Sequence, residues 1–159
     1  MDKDYVVRGL KLTSEGTVCL EEFYKHLKKW FKQYNYDVAE KEFKELKDGR
    51  NLRILWEADK KVSDYIKYFI QVAMEIDDIE EVEDDKKNLC TCTINLTFNG
   101  IIGKDYEDKW KQGGVSKFIK ETFDKFSAKE NMDKCKSELT EHVKKLKTEI
   151  KAYLNLRKS

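Results

Sequence analysis

Between residues 19 and 34 the chain reads CLEEFYKHLKKWFKQY, and its apolar positions recur every three or four residues. Leu20, Phe23, Leu27, Trp30 and Tyr34 fall on one face of a helical wheel, with Tyr24 and Phe31 beside them. Lys25, Lys28, Lys29 and Lys32 fall opposite. At about 100° per residue this predicts an amphipathic helix with one face to bury. The period then changes to two. In LRILWEAD, Leu52, Ile54, Trp56 and Ala58 alternate with Arg53, Leu55, Glu57 and Asp59. In DYIKYFIQVAMEID, Ile66, Tyr68, Ile70, Val72, Met74 and Ile76 point one way. Lys67, Gln71, Glu75 and Asp77 point the other way, with Tyr65 and Phe69 among them. In LCTCTINLTFNG, Cys90, Cys92, Ile94, Leu96 and Phe98 share one face, and Thr91, Thr93, Asn95, Thr97 and Asn99 share the other. Such alternation predicts antiparallel strands buried on one side.

The remaining segments are less regular. YDVAEKEFKELK carries a weak alternation and leads to Asp48-Gly49, a type I′ hairpin signal because both central residues of that turn need positive φ. A second turn is expected near KKVSD and a third at EDDKKN. YVVRGLKL, residues 5 to 12, alternates poorly and reads as a possible extra strand. After Gly100 the chain reads GIIGKDYEDKWKQGG, which continues the strand or forms a long loop. VSKFIKETFDKF then reads as helical, with Phe118, Ile119, Thr122, Phe123 and Phe126 on one side. Ser127 and Glu130 have capping-box spacing. Beyond them, Met132, Cys135, Leu139, His142, Val143, Leu146, Ile150, Tyr153 and Leu154 lie in one stripe. A helix of about 25 residues spans about 38 Å, enough to cross a whole sheet. The expected fold class is α+β: an antiparallel β-meander of about four to five strands, one face covered by an N-terminal helix and a long C-terminal helix.

Composition sharpens this only in places. The 159 residues have the length of one ordinary domain, and with no proline and no low-complexity linker the expectation is a single domain, 1–159. Charged residues make up 40%, and only Arg8, Arg50, Arg53 and Arg157 are arginine, so the surface is lysine-rich. Yet 32 basic and 31 acidic residues leave a net charge of +1, with no global field to gather nucleic acid. The strand faces read as outward carry Thr and Asn rather than aromatics with arginine, so no nucleic-acid partner is expected. The local exception is the acidic run EIDDIEEVEDD, Glu75 to Asp85. No apolar run approaches the ~20 residues of a transmembrane helix. The start MDKDYVV has no apolar leader, and the four scattered cysteines read as free thiols, so the expected location is cytoplasmic.

Chemistry-bearing residues are sparse. The soft ligands are Cys19, Cys90, Cys92, Cys135, His26 and His142. Cys19 and His26 are seven residues apart, as are Cys135 and His142, and seven helical residues span about 10.5 Å. That is too far for two bonds of about 2.1–2.3 Å to one zinc ion. Cys90 and Cys92 continue an apolar strand face and read as small core residues. The carboxylates of DYEDKW lack EF-hand spacing, and Gly113-Gly114 lacks the lysine and hydroxyl of a P-loop. No G-x-S-x-G elbow is present. The expectation is therefore no catalytic residue, no metal and no cofactor. The lysine-faced helix could lie on an anionic membrane, but the sheet needs a cover, so a core-packing role is preferred.

The order of strand, helix, antiparallel strands and long C-terminal helix resembles the helix-grip layout of START-like and polyketide-cyclase-like domains, with fewer strands and no second early helix. KAYLNL and DYEDKW are similar to stretches of uncharacterised microbial and archaeal proteins, which implies no activity. The helix-grip resemblance implies an apolar cavity between the sheet and the long helix. Trp56, Tyr68, Ile70, Phe98 and Leu146 are its candidate lining. Two functions follow. One is a non-catalytic binding or assembly module that contacts another protein or a second copy of itself. The other is a carrier of a small apolar ligand or lipid.

Overall fold

The computed structural model describes residues 1–83, 88–104 and 128–157, with side chains from 131 to 156 in the last stretch. Residues 84–87 of the expected EDDKKN turn, the carboxylates of DYEDKW, Gly113-Gly114, the helix expected over 115–126 and the Ser127/Glu130 cap lie outside the described side chains.

The fold is α+β. Its elements are β1 (Asp2–Val18), α1 (Leu20–Gln33), β2 (Asp37–Leu46), β3 (Asn51–Lys61), β4 (Ile66–Glu81), β5 (Cys90–Lys104) and α2 (Ala128–Arg157). The strands form one open antiparallel sheet in the order β1-β5-β4-β3-β2. Strands β2 to β5 are the expected meander, and β1 closes against β5 as the extra strand. The hairpin turn before β3 has φ of 56° at Asp48 and 82° at Gly49, and the Arg50 N–H donates to the Lys47 carbonyl at 3.2 Å. This is the turn that Asp-Gly predicts. The turn before β4 is held by the Ser63 hydroxyl, which accepts from the N–H groups of Tyr65 and Ile66.

Strand β1 is longer than YVVRGLKL suggests, and its poor alternation has a cause. Its register against β5 slips between Tyr5 and Val7 and again between Val7 and Leu10. Gly9 sits there at φ 69° and donates its N–H to Asn99 Oδ1 at 2.8 Å. Each bulge shifts the in-out phase, so period two breaks although the strand continues. Strand β4 likewise runs past the expected end of its alternation. Asp78 takes φ 56° and donates its N–H to Asn51 Oδ1, the register slips between Asp77 and Glu80, and pairing resumes through Glu81. Strand β5 continues through Gly100 to Lys104, so GIIGK is strand rather than loop.

One face of the sheet carries the core. Paired positions line up in rows across it: Leu10, Phe98, Val72 and Trp56 in one, and Val7, Gly100, Ile70, Ala58 and Val38 in the next. Helix α2 lays Leu139, Val143, Leu146 and Ile150, all fully buried, over this face, mainly above β1 and β5. A Cβ at Gly100 would lie 3.0 Å from Val143 Cγ2 and 3.3 Å from Leu139 Cγ. The helix therefore rests on bare backbone at that point. Helix α1 buries Phe23, Leu27, Trp30 and Phe31 and takes the other part of the sheet, with Tyr24 beside Trp56 at a ring separation of 5.9 Å. Tyr65, expected on the outward face, is buried in the core cluster, because it precedes β4 and is turned inward by the Ser63 turn. Phe69 and Ile101 are buried outside that cluster, on the opposite face, where Lys3 and Lys67 lie over the Phe69 ring.

Candidate functional site

Helix α1 ends in a motif that the sequence reading passed over. Asn35 takes the left-handed conformation at φ 63°. The Tyr36 N–H donates to the Phe31 carbonyl at 2.8 Å, and the Asn35 N–H donates to the Lys32 carbonyl at 3.1 Å. This pair of bonds is a Schellman cap, in which Asn tolerates the backbone that most side chains resist. The apolar contact that accompanies such a cap is present as Phe31 against Tyr36, edge-on at 5.9 Å. The cap fixes where Tyr34 and Tyr36 leave the helix.

Those two tyrosines meet α2. The Tyr36 hydroxyl and His142 Nδ1 are hydrogen-bonded at 2.9 Å, and the Tyr34 and Tyr68 rings also pack edge-on to the His142 imidazole. Burial pushes the His142 pKa below its ordinary value, and burial pushes Tyr36 above its own. Towards the other end of α1, His26 stacks on Tyr153 at 4.3 Å and lies 3.1 Å from a Glu149 oxygen. Residues 23 and 26 thus meet 149 and 153, while 34 and 36 meet 142, so the two helices run antiparallel.

Outside this seam lies a groove of about 730 Å³. One wall is Trp30 and Tyr34, stacked on each other at 4.3 Å. The other is an outward strip of α2 made of two rows at i, i+4 spacing. Lys136, Thr140, Lys144 and Thr148 form one row, and Ser137, Glu141, Lys145 and Glu149 form the other. From 136 to 148 the strip is about 18 Å long. A second pocket of about 300 Å³ shares Trp30, Tyr34 and Glu149 and adds His26, Lys29 and Gln33. Both groove carboxylates are already engaged, Glu141 by Lys145 at 3.0 Å and Glu149 by His26. Lys29, Lys136 and Lys144 have no ion-pair partner among the described residues. The groove is therefore aromatic on one side and cationic on the other.

The five residues singled out for an apolar cavity are all core residues. Trp56, Tyr68, Ile70, Phe98 and Leu146 are each at most 3% exposed and belong to one continuous cluster. Trp56 and Phe98 share a row of the sheet, with Ile70 and Tyr68 in the rows beyond. They divide between the helices: Trp56 meets Tyr24 of α1 and Tyr68 meets His142 of α2. The Trp56 indole N–H donates to Glu40 at 3.2 Å.

The cysteines are free thiols, Cys90 and Cys92 buried and Cys19 and Cys135 half-buried. Cys90 and Cys92 share one buried strand face, and the mutual interaction of their thiols lowers the pKa of Cys90 and raises that of Cys92. Cys19 and Cys90 share a third pocket of about 460 Å³ with Glu21, Ile79 and Glu81. Nearby, the Tyr24 hydroxyl is buried without a hydrogen-bond partner among the described residues, and burial raises its pKa to about 12. Among the described residues no group of three or more His, Cys, Asp or Glu side chains is arranged to hold a metal ion. No described helix is long and apolar enough to cross a membrane. No family model, curated protein or solved structure matches the chain.

Proposed function

We propose that this protein is a non-catalytic binding or assembly module that makes its contact through the α1–α2 groove. The observation that carries the reading is the pairing of the half-buried Tyr34 ring, backed by the buried Trp30, with Lys136 and Lys144, which have no ion-pair partner among the described residues, along an 18 Å strip of helix, about the length of a short peptide segment. Aromatic side chains supply large contact area at low entropic cost, and charged rims set partner choice. The helix-grip resemblance and its ligand-carrier reading draw less support. Trp56, Tyr68, Ile70, Phe98 and Leu146 belong to one buried cluster and lie beneath two helices, Trp56 beside Tyr24 and Tyr68 beside His142.

The test is site-specific photo-cross-linking from position 140, at the centre of the strip, in the cells that make the protein. A cross-linked protein species that disappears with Tyr34→Ala or Lys144→Glu supports the groove as the contact surface. No protein cross-link from position 140, alongside cross-links from the far face of the sheet, sinks it.

A further inference from the structure

The groove is cationic, and the same chain carries an acidic counterpart at the opposite end of α1. Asp78, Glu80, Glu81, Val82 and Glu83 are all exposed where β4 runs out towards β5. Val82 is 37% exposed, an apolar side chain among carboxylates. Arg50 takes Glu80 at 3.4 Å, whereas Asp78, Glu81 and Glu83 have no ion-pair partner among the described residues. The same tip borders the start of α1, since Glu81 and Val82 share a pocket with Cys19, Leu20 and Glu21. The groove borders its end, at Trp30 and Tyr34. From Leu20 to Trp30 and Tyr34 the helix rises about 15 to 21 Å, which separates the two. An acidic tip and a lysine-lined groove at opposite ends of one helix cannot satisfy each other within one molecule. Between two molecules they can.

We infer that the occupant of the groove is the β4 tip, Asp78 to Glu83, of a second copy of this chain. This rests on the groove reading above and commits it to one partner. The tip supplies carboxylates for Lys29, Lys136 and Lys144, and it supplies Val82 for the half-buried Tyr34 ring that fronts the wall. The contact joins two different surfaces, so it is heterologous: a pair of copies is left with one free groove and one free tip, and assembly proceeds head to tail. Exposed ion pairs are individually weak and screened by salt, so the association is reversible and strongest at low ionic strength.

The experiment is sedimentation velocity of the full chain across concentration at about 20 mM and about 300 mM salt, where the Debye length falls roughly fourfold. The native chain is expected to associate at low salt and to weaken about tenfold or more at high salt. Two charge-reversed variants follow, Lys136→Glu/Lys144→Glu in the groove and Glu81→Lys/Glu83→Lys at the tip. All four positions are exposed, and circular dichroism checks that both variants fold. Each variant alone pairs like charges and is expected to be monomeric. Mixed in equal amounts, each offers the other a complementary surface, and association returns. Three results overturn the inference: a native chain that stays monomeric at low salt, association that survives either reversal, or a mixture that does not associate. A position-140 cross-link to a different protein would also overturn it while leaving the groove reading intact. No protein cross-link at position 140 would remove both.

Discussion

Gly100 offers a sharp test of where α2 sits. It lies inside β5, paired with Ile70 on one side and Val7 on the other, and its missing side chain points at the helix. An alanine methyl there would lie 3.0 Å from Val143 Cγ2, 3.3 Å from Leu139 Cγ and 3.6 Å from Leu139 Cδ2. Carbon atoms prefer separations of about 3.5–4.0 Å, so the first two contacts are overlaps of a few tenths of an ångström. Val143 and Leu139 are both 0% exposed and cannot swing into solvent. The helix or the strand must give, and overpacking of this kind costs about 1–3 kcal/mol. Against this, alanine restricts the unfolded chain and recovers about 0.4–1 kcal/mol. The net expectation for Gly100→Ala is a loss of about 1–2 kcal/mol.

A double-mutant cycle isolates the cause. Val143→Ala removes the atom that the new methyl would meet. In that background the closest overlap is gone and only the 3.3 Å approach to Leu139 Cγ remains, so Gly100→Ala should cost less, giving a coupling of about 1 kcal/mol, within the range seen for side chains in contact. Gly9→Ala is the control. Gly9 has positive φ but nothing within 4 Å of its would-be Cβ, so its loss is a backbone effect that Val143→Ala leaves unchanged. The assay is urea unfolding followed by far-ultraviolet circular dichroism and by tryptophan fluorescence, comparing midpoints at constant slope. Additivity of Gly100→Ala and Val143→Ala within about 0.5 kcal/mol would refute direct packing of α2 on β5.

Further expectations extend the same logic. Phe98 is 0% exposed, so Phe98→Ala should cost about 3–5 kcal/mol in the same unfolding assay, and a loss under about 1 kcal/mol would mean the core face is misassigned. His142 has a depressed pKa, chiefly from burial, with Lys60 and Lys145 pushing the same way and Glu138 and Glu141 opposing. A neutral imidazole is thus favoured in the folded state, so its contribution is present above the unfolded value of about 6.5 and is lost as pH falls through the depressed folded value. His142→Gln should flatten the decline of unfolding midpoint as pH falls from about 6.5 to the depressed folded value, and an unchanged slope there would remove His142 from the account. Truncation after Ser127 deletes α2, which carries the fully buried Leu139, Val143, Leu146 and Ile150. The shortened chain should lose its cooperative thermal transition and bind a hydrophobic dye, whereas a chain that still melts cooperatively would mean the helix is an appendage.

How much of this was legible depended on whether a segment's period survives its tertiary surroundings. Helix α1 and strands β3, β4 and β5 each keep one clean face against the core, so Phe23, Ile54, Ile70 and Phe98 announce their burial in sequence. Strand β1 does not, because two bulges around Gly9 invert the phase midway. Strand β2 does not either. It is an edge strand with a register slip between Glu40 and Glu42, and Phe43 is left 52% exposed. Charge on both faces is what an edge uses to resist pairing with other chains, and it erases the alternation that would reveal the strand. The groove was not legible at all. Its α2 wall is a run of Lys, Thr, Ser and Glu that any solvated helix face would carry. Its character comes from Trp30 and Tyr34, placed there by the antiparallel contact between helices. The one local clue was Asn35, a residue that tolerates the left-handed turn needed to end α1 and to aim Tyr36 at His142.

The layout of the two helices follows from a row of the sheet rather than from either helix. Val7, Gly100, Ile70, Ala58 and Val38 cross the core face side by side, and within that row β5 supplies glycine and β3 supplies alanine. A helix can come closest where the strand beneath has the least side chain, which draws α2 onto Gly100 and sets it over β1 and β5. The bulky Trp56, one row over, is then left to α1, whose Tyr24 packs beside it while Lys28 lies over its ring at 5.3 Å. Two helices sharing one sheet face must meet along a seam. Here the seam is filled by aromatic and imidazole rings: Phe23, His26 and Tyr153 at one end, and Tyr34, Tyr36 and His142 at the other. The outer rim of that seam is the groove. A binding surface on this fold is thus a consequence of how the core divides, and a substitution at Gly100 that moves α2 should alter the groove 30 or more residues away in sequence along with stability.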